Sequence, residues 1–292
     1  MDAKSTIVRA SSGSVYVLII ILACWAGSVG VTLLSCLFAI LGIIEFRKMR
    51  FGDPGKNLFI AAYDAIGGIL LTLSVYIYPI FFWLLWVIGR MIITIYSRND
   101  HPEKEFAVDM AGQVYIGLPM ALLAALGSLC EDYCGSCMPI LSIFILIWVN
   151  DTGAFLFGST LGRHKLFPRV SPKKSWEGFW GGCLLTIGAG ILIGALNSPL
   201  SAEYIGNKML FWGMSGVVIC VASTFGDLFE SVIKRNLHIK DSGNLIPGHG
   251  GILDRIDSLL MVVPAMVVFV AFYAMMIVSV LSVYDPSVLA LN

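Results

Sequence analysis

The chain has 292 residues, of which 58% are hydrophobic and only 13% are charged. A typical soluble domain has about 25% charged residues, so this chain has about half the charge that a water-facing surface needs. A soluble globular enzyme and a disordered protein are therefore excluded. The 19 lysine and arginine residues balance the 19 aspartate and glutamate residues. This balance excludes a nucleic-acid-binding protein, and so no nucleic-acid partner is expected.

Apolar runs recur from Val15 to Val283, and a spanning helix needs about 20 mainly apolar residues. These runs predict an all-α polytopic integral membrane protein with about nine transmembrane helices. The first two runs are short and close together, so they form either a tight hairpin or one long tilted helix. The runs cover residues 15–26, 29–44, 58–76, 80–96, 111–129, 139–157, 179–196, 209–225 and 259–283.

Two long polar stretches, residues 158–178 and 226–258, interrupt the second half of the chain. We expect a single membrane domain, with N-terminal transmembrane helices in residues 1–149 and a catalytic region with two loops in residues 150–292. With the N-terminus inside, Lys208 stands alone in the opposite loops, and nearly all other lysines and arginines face the cytoplasm. The positive-inside rule therefore predicts that both loops are cytoplasmic. A bacterial cytoplasmic membrane is the default location, because nothing in the sequence addresses an organelle.

The longer polar loop contains two pairs of carboxylates at helical spacing. Asp227 shares a helix face with Glu230 and Ser231, and Asp254 shares one with Asp257 at the next helix start. We expect these oxygen ligands to converge from two helix ends. Such a set suits Mg²⁺, which keeps its other positions for water and phosphate. The alternative is that the acids at a helix N-terminus only offset the helix dipole.

Basic residues accompany these carboxylates and suit the binding of a polyphosphate. The alternative is that they anchor the loop to anionic lipid. His249 lies between glycines, where it either binds phosphate or makes a structural hydrogen bond. The basic residues of this loop are Lys234, Arg235, Lys240 and Arg255.

The shorter polar loop ends at a predicted helix start. Lys173 and Lys174 come directly before it, Ser175 is a candidate N-cap, and Glu177 is an acid in the first turn. Glycines at the start of this helix would allow close approach of a neighbour or a ligand. This loop is thus either part of a phosphate site or a capped helix with interfacial lysines. Asp151 ends the preceding apolar run and is a functional candidate for that reason.

The segment from Ser231 to Asp257 resembles the full signature of the phosphatidate cytidylyltransferases, also called CDP-diacylglycerol synthases. No fixed position of that signature is mismatched. The shorter loop is similar to the family's second conserved block. The matching residues there are Asp151-Thr152-Gly153-Ala154 and Ser171-Pro172-Lys173-Lys174-Ser175-Trp176-Glu177-Gly178.

The resemblance implies a homodimeric, Mg²⁺-dependent membrane enzyme that acts among membrane lipids, with Mg²⁺ alone or with a second cation beside it. It implies transfer of the cytidylyl group from CTP to phosphatidic acid, giving CDP-diacylglycerol and pyrophosphate. The implied catalytic residues are Asp227, Asp254, Asp257, Lys173 and Lys174, and the three aspartates are also the implied metal ligands. The implied substrate-binding residues are Ser171, Ser175, Glu177, Ser231, Lys234, Arg235, Lys240, His249 and Arg255.

Two other functions are alternatives. A CTP-dependent polyprenol or phytol kinase would share the membrane helices and the nucleotide, but it would need a base for a neutral hydroxyl. A transporter predicts polar residues in the middle of several spans. Only Asp64 and Arg90 lie well inside the apolar runs, and helix pairing or a polar cavity explains each of them as well as catalysis does.

Three cysteines have the spacing of a radical-SAM iron–sulfur motif, Cys130-x3-Cys134-x2-Cys137. That chemistry belongs to a soluble barrel, whereas these cysteines lie in a short loop on the predicted non-cytoplasmic side. We therefore interpret them as a disulfide in an oxidising compartment or as residues without a chemical role.

Overall fold

The computed structural model describes residues 3–52, 58–75, 80–196, 202–245 and 250–284, with side chains described at 11–52, 58–75, 80–196, 208–245 and 250–276. Ten α-helices lie in these residues, together with one π-helical turn and one β-hairpin. The helices are α1 (Ala3–Trp25), α2 (Gly27–Phe51), α3 (Leu58–Leu73), α4 (Ile80–Ile95), α5 (Pro102–Gly112), α6 (Leu118–Cys134), α7 (Met138–Leu161), α8 (Trp176–Leu196), α9 (Ala202–Asn236) and α10 (Leu253–Tyr284).

The first two helices form an antiparallel hairpin. The chain turns at Gly27, whose φ of 78° favours glycine. Further from the turn, the two helices pack together, and the ring of Tyr16 on α1 stacks on that of Phe38 on α2 with centroids 6.2 Å apart. The first two apolar runs are therefore separate helices, as the hairpin alternative predicts.

Six helical segments of the described chain are long and apolar enough to cross a membrane. The protein is thus a helical integral membrane protein, as its composition predicts. Three shorter apolar helices accompany the six, at Ser11–Trp25, Leu58–Leu73 and Ile80–Ile95. The six long segments are Gly27–Phe51, Pro102–Cys134, Met138–Leu161, Trp176–Leu196, Lys208–Asn236 and Leu253–Met276.

One long segment begins earlier than its apolar run predicts. Helix α5 starts at Pro102, a residue that suits a first helical turn, and Glu103 and Glu105 in that turn complement the helix dipole. A π-helical turn at Gln113–Gly117 then joins α5 to α6. A search for apolar runs misses the first turn of α5, because its charged residues lower the hydropathy there.

A small β-hairpin occupies the shorter polar loop and is the exception to the all-α prediction. Strand β1 (Lys165–Phe167) pairs antiparallel with β2 (Ser171–Ser175), with Lys165 opposite Ser175. Helix α7 continues to Leu161 and α8 begins at Trp176, so the polar loop is shorter than predicted. The longer loop is shortened in the same way, because α9 continues to Asn236.

Helices α7 and α8 touch through glycines. A Cβ atom on Gly153 would lie 3.0 Å from the Cα of Gly182, and one on Gly178 would lie 2.7 Å from the carbonyl oxygen of Ala154. Only hydrogen fits at these positions, so the two backbones approach directly. This confirms the predicted close approach and brings the start of α8 beside the end of α7.

A buried cluster of ion pairs joins α2, α3, α4 and α5. The guanidinium of Arg47 lies 3.0 Å from Asp64, and Arg90 lies 3.3 Å from the same carboxylate. Both arginines also contact Asp109, and Arg47 contacts Glu105. Asp64 and Arg90 therefore pair helices, which is one of the three roles considered for them. Mutual pairing is what makes buried charges tolerable in such a bundle.

Candidate active site

The centre of the candidate site is an ion pair between the β-hairpin and α9. The Nζ atom of Lys174 lies 2.7 Å from Oδ2 of Asp227, and it also donates to the carbonyl oxygen of Thr224 at 3.3 Å. The side chains of Lys174 and Asp227 keep 25% and 37% of their exposure. Two residues predicted from separate loops thus meet at one accessible point.

The last turns of α9 carry the spacing that the sequence predicts. Ser231 donates from Oγ to Oδ1 of Asp227 at 3.3 Å, as expected for residues four apart on a helix. Glu230 is buried, and its Oε2 accepts from Nζ of Lys234 at 3.0 Å. The same Lys234 Nζ lies 2.7 Å from Oδ1 of Asp254 on α10. Lys234 therefore bridges the carboxylates of two helices.

Asp254 is held by hydrogen bonds on both oxygens. Besides Lys234 on Oδ1, its Oδ2 accepts from the backbone amides of Ser242 at 3.0 Å and Gly251 at 2.9 Å. The structure thus places this residue in a network that ties the longer loop to the first turn of α10. Its predicted role as a metal ligand stays a prediction.

Asp257 lies one turn further along α10 and is half-buried. Its carboxylate interacts electrostatically with those of Asp227 and Glu230, and also with that of Asp151 in the middle of α7. Asp151 in turn accepts from Oγ of Ser223 at 3.4 Å. The predicted convergence of carboxylates from two helix ends is therefore present, with a contribution from a third helix.

Asp151 belongs to this group although the predicted site residues did not include it. Two signals pointed to it. It is an acid at the end of an otherwise apolar run, and it lies in a block that resembles the cytidylyltransferases. Its position beside Asp227 and Asp257 depends on how α7 packs against α9 and α10, and sequence spacing carries no such information.

A cavity of about 300 Å³ opens beside these carboxylates. Both polar and apolar residues line it. Helix α1 contributes Tyr16, whose hydroxyl donates to the carbonyl oxygen of Arg255 at 3.2 Å. The charged lining residues are Asp151, Asp254, Arg255 and Asp257, and the apolar ones include Val17, Phe144, Ile147, Trp148 and Leu259.

Some of the residues predicted at the start of α8 make hydrogen bonds that hold the local structure, and the others are exposed or half-buried. The Oγ of Ser175 accepts from the amide of Gly178 at 3.2 Å, which confirms its N-cap role. Glu177 accepts from the amides of Arg163 at 3.1 Å and His164 at 3.2 Å, so it also closes the loop that follows α7. Lys173 is exposed beside Lys174, and Ser171 is half-buried in β2.

The remaining predicted phosphate contacts lie along the longer loop. Arg235 is exposed and donates from Nη1 to the carbonyl oxygen of Ile239 at 2.8 Å. Lys240 and Arg255 are exposed as well. His249 lies outside the described residues. The structure brings the cationic end of α9 and the start of α10 to the same end of the bundle as the Lys174–Asp227 pair.

The residues present fit a divalent cation. In the described chain, no three His, Cys, Asp or Glu side chains form a ready-made metal site. Five carboxylates nevertheless lie close together, and three of them form salt bridges, Asp227 with Lys174, and Glu230 and Asp254 with Lys234. Oε1 of Glu230 is buried with no hydrogen-bond partner among the described residues. Excess negative charge on hard oxygens suits Mg²⁺ bound by few carboxylates and completed by water. The five are Asp151, Asp227, Glu230, Asp254 and Asp257.

The cysteine motif lies at the opposite end of the bundle and forms no disulfide. All seven cysteines are free thiols, and Cys134 is exposed. Cys137 is buried, and its Sγ donates to the carbonyl oxygen of Gly127 at 3.2 Å. Burial raises the pKa of the Cys137 thiol to about 11, so it is protonated near neutral pH. Of the two interpretations, a packing role without special chemistry agrees with the structure.

The helices and the carboxylate–lysine site together define an integral membrane protein with a polar site at one end of its bundle. The model of the cytidylyltransferase family matches residues 7–273. Because this match covers most of the chain, the protein belongs to the cytidylyltransferase family.

Several relatives carry the name phosphatidate cytidylyltransferase. The protein from Staphylococcus aureus (strain COL) is 37% identical over 174 residues, which covers 59% of this chain and 61% of the relative. Those from Staphylococcus epidermidis and Staphylococcus haemolyticus are 36% and 34% identical over 173 residues, with the same coverage. The alignments span about three fifths of the length of these relatives.

Proposed function

We propose that this protein transfers the cytidylyl group of CTP to phosphatidate, giving CDP-diacylglycerol and pyrophosphate. The observation that carries the proposal is the ion pair of Lys174 with Asp227, whose carboxylate interacts with that of Asp257 in the lining of a cavity with both polar and apolar residues. Membership of the cytidylyltransferase family and the names of the relatives support it. Nucleotide, lipid phosphate and acyl chains would each meet groups of matching chemistry here.

The reaction makes modest demands on acid–base chemistry. The second pKa of a phosphate monoester is near 6, so the lipid phosphate is already largely ionised at pH 7. A dedicated general base is therefore unnecessary. The site must instead bring two polyanions together and align the lipid oxygen opposite the leaving pyrophosphate. This distinguishes it from a lipid kinase, which must deprotonate a neutral alcohol.

The carboxylates are proposed to hold Mg²⁺, with a possible second cation. Asp227 and Asp257 keep partial exposure beside Asp151, so their oxygens are available to a cation. Asp254 is proposed as a third ligand, although its present hydrogen bonds also position the loop. When bound, Mg²⁺ supplies positive charge that offsets the charge growing on pyrophosphate.

The cations of the site are proposed to bind phosphate oxygens. Lys174 is the central one, because its accessible ammonium can exchange a carboxylate for a phosphate. Lys173 lies beside it on the exposed hairpin. The other residues proposed to bind substrate are Ser171, Ser175, Glu177, Ser231, Lys234, Arg235, Lys240, His249 and Arg255.

The cavity is proposed to admit the lipid. Helices α1 and α7 contribute apolar residues to its lining, and Asp151, Arg255 and Asp257 contribute charged ones. An arrangement of this kind orients an amphipathic molecule by its two ends. We further propose nine membrane spans, a homodimer, and a bacterial cytoplasmic membrane with the site facing the cytoplasm.

The proposal is tested with the purified full-length protein in lipid nanodiscs. The protein is incubated with phosphatidate or with a polyprenol, in the presence of Mg²⁺ and each of the four ribonucleoside triphosphates, while pyrophosphate, CDP and lipid products are measured. We expect pyrophosphate and CDP-diacylglycerol from CTP only when phosphatidate is present. Release of CDP with a phosphorylated lipid alcohol would instead favour the kinase alternative, and no product with any nucleotide would refute both.

A further inference from the structure

Glu45 of α2 is a buried carboxylate far from the predicted site residues in sequence. Only 6% of its surface is exposed. The side chain makes three hydrogen bonds to the longer loop and to the start of α10. Oε2 accepts from the amide of Ile252 at 3.0 Å, and Oε1 accepts from the amide of Leu253 at 3.0 Å. Oε1 also accepts from Oγ of Ser242 at 2.5 Å.

These contacts make Glu45 the cap of α10. The first amides of a helix have no partners within the helix and are usually capped by a side chain just before it. The residues before α10 are Gly250, Gly251 and Ile252, which have no polar side chain to offer. The cap is therefore supplied by another helix, and its negative charge also complements the positive end of the helix dipole.

The loop is shaped around this carboxylate. A Cβ atom on Gly251 would lie 2.0 Å from Oε1 of Glu45, and one on Gly243 would lie 2.7 Å from Oε2. Any other residue at these two positions would force the carboxylate to move. The glycines of the signature segment thus serve a contact with α2 that lies outside the signature.

The same contact reaches the site through Ser242. While its hydroxyl donates to Glu45, its amide donates to Oδ2 of Asp254 at 3.0 Å, and its Oγ accepts from the amide of Asp254 at 3.3 Å. Asp254 is in turn paired with Lys234. A continuous chain of hydrogen bonds therefore runs from α2 to the carboxylates of α9 and α10.

Helix α2 is itself held in place near Glu45. Arg47, two residues further on, enters the buried ion cluster with Asp64 and Asp109. The cap of α10 is thus attached to a helix fixed from its other side. Because Glu45 does not line the cavity beside Asp257, its effect on substrates would be indirect.

We propose that Glu45 is a positioning residue that sets the first turn of α10, and with it Asp254 and Asp257, for the cytidylyl transfer. The kinetic test of this inference rests on the proposed function, whereas its structural test rests on the geometry alone. Uncapping the helix would let its first turn fray, and a displacement of about 1 Å can lower a rate by about 100-fold.

The test compares Glu45→Gln with Glu131→Gln in the full-length protein in nanodiscs. Glu131 makes a contact of the same kind, at an exposed position at the opposite end of the bundle, where its Oε2 caps α2 by accepting from the amide of Ser28 at 2.7 Å. We expect Glu45→Gln to lower kcat on the order of 10-fold and to raise the Mg²⁺ concentration needed for half-maximal rate. Glu131→Gln should leave both unchanged.

Hydrogen exchange supplies a readout that does not depend on activity. The amides of Ile252 and Leu253 should exchange faster in Glu45→Gln than in the wild type and in Glu131→Gln. If Glu45→Gln does not fold, Ser242→Ala, which breaks the same chain, should show the kinetic change and faster exchange at Asp254. A folded Glu45→Gln protein with wild-type exchange, kcat and Mg²⁺ dependence would overturn the inference. An inactive wild type with the predicted exchange pattern would overturn the proposed function instead.

Discussion

The ammonium of Lys174 lies 2.7 Å from the carboxylate of Asp227 and joins the β-hairpin to α9. Both side chains remain partly exposed, so solvent screens the pair and its contribution to stability is at most about 1 kcal/mol. Each partner can therefore be taken over by substrate or cation without destabilising the fold. The pair of Lys234 and Asp254 is less accessible to solvent, because these side chains are only 10% and 12% exposed.

Replacement of Asp227 should affect chemistry much more than stability. In Asp227→Asn the size is kept and the charge is lost, so kcat/KM for CTP should fall about 100-fold or more, or about 2.7 kcal/mol. The thermal midpoint should change little, because the pair with Lys174 is screened. Steady-state kinetics and thermal unfolding of the same preparation measure both. Asp132→Asn, exposed at the other end of the bundle, is the control. Near-normal turnover in Asp227→Asn would remove Asp227 from the proposed metal ligands.

Replacement of Asp254 should affect stability as well. Asp254→Asn leaves Lys234 with only Glu230 as its anionic partner and weakens two backbone hydrogen bonds. Removing one partner of a buried pair typically costs about 3–5 kcal/mol, and the accessibility that remains here places the loss towards the lower end. The thermal midpoint should therefore fall in Asp254→Asn and not in Asp227→Asn. Equal midpoints for the two variants would argue against the structural role of Asp254.

The buried arginines of the N-terminal half should be indispensable for folding. Arg90 is 1% exposed, and Arg90→Leu would leave Asp64 and Asp109 with Arg47 as their nearest partner in the cluster. An uncompensated buried charge costs about 3–5 kcal/mol, so little monodisperse protein should survive detergent extraction. Size-exclusion chromatography measures this directly. Arg98→Leu, at an exposed position, should behave as the wild type does. Normal yield and thermal stability of Arg90→Leu would show that the ion cluster is dispensable.

The two ends of the bundle should be accessible from opposite sides of the membrane. Cys134 is exposed at one end, and Asn236 is exposed at the other, where α9 finishes. A protein with Cys134 as its only cysteine should react with a membrane-impermeant maleimide from outside intact cells. A protein whose only cysteine is introduced by Asn236→Cys should react only after the cytoplasmic face is opened. Labelling of both from the same side would contradict the proposed topology.

The local features of the site could be predicted from the sequence because they depend on spacing along one helix. Ser231 meets Asp227 as residues four apart must, and Ser175 caps α8 as its position before the helix predicts. Apolar runs likewise predicted the membrane helices, because a bilayer demands length and low charge from each one. The signature segment then located the carboxylates and cations of the site.

Only the tertiary structure decided which distant groups meet. The position of Glu45 in the sequence does not distinguish an acid that caps α10 from one that faces the membrane surface. In the same way, Asp151 joins the group of carboxylates only because of how α7 packs against its neighbours. The pairing of Lys174 with Asp227 is of the same kind. Periodicity determines which face of a helix a residue occupies, whereas the partner of that face depends on how the helices pack. In this chain two sets of contacts contribute to that packing. One is the glycine contacts between α7 and α8, and the other is the buried ion cluster that joins α2, α3, α4 and α5. Both sets join residues that are far apart in sequence.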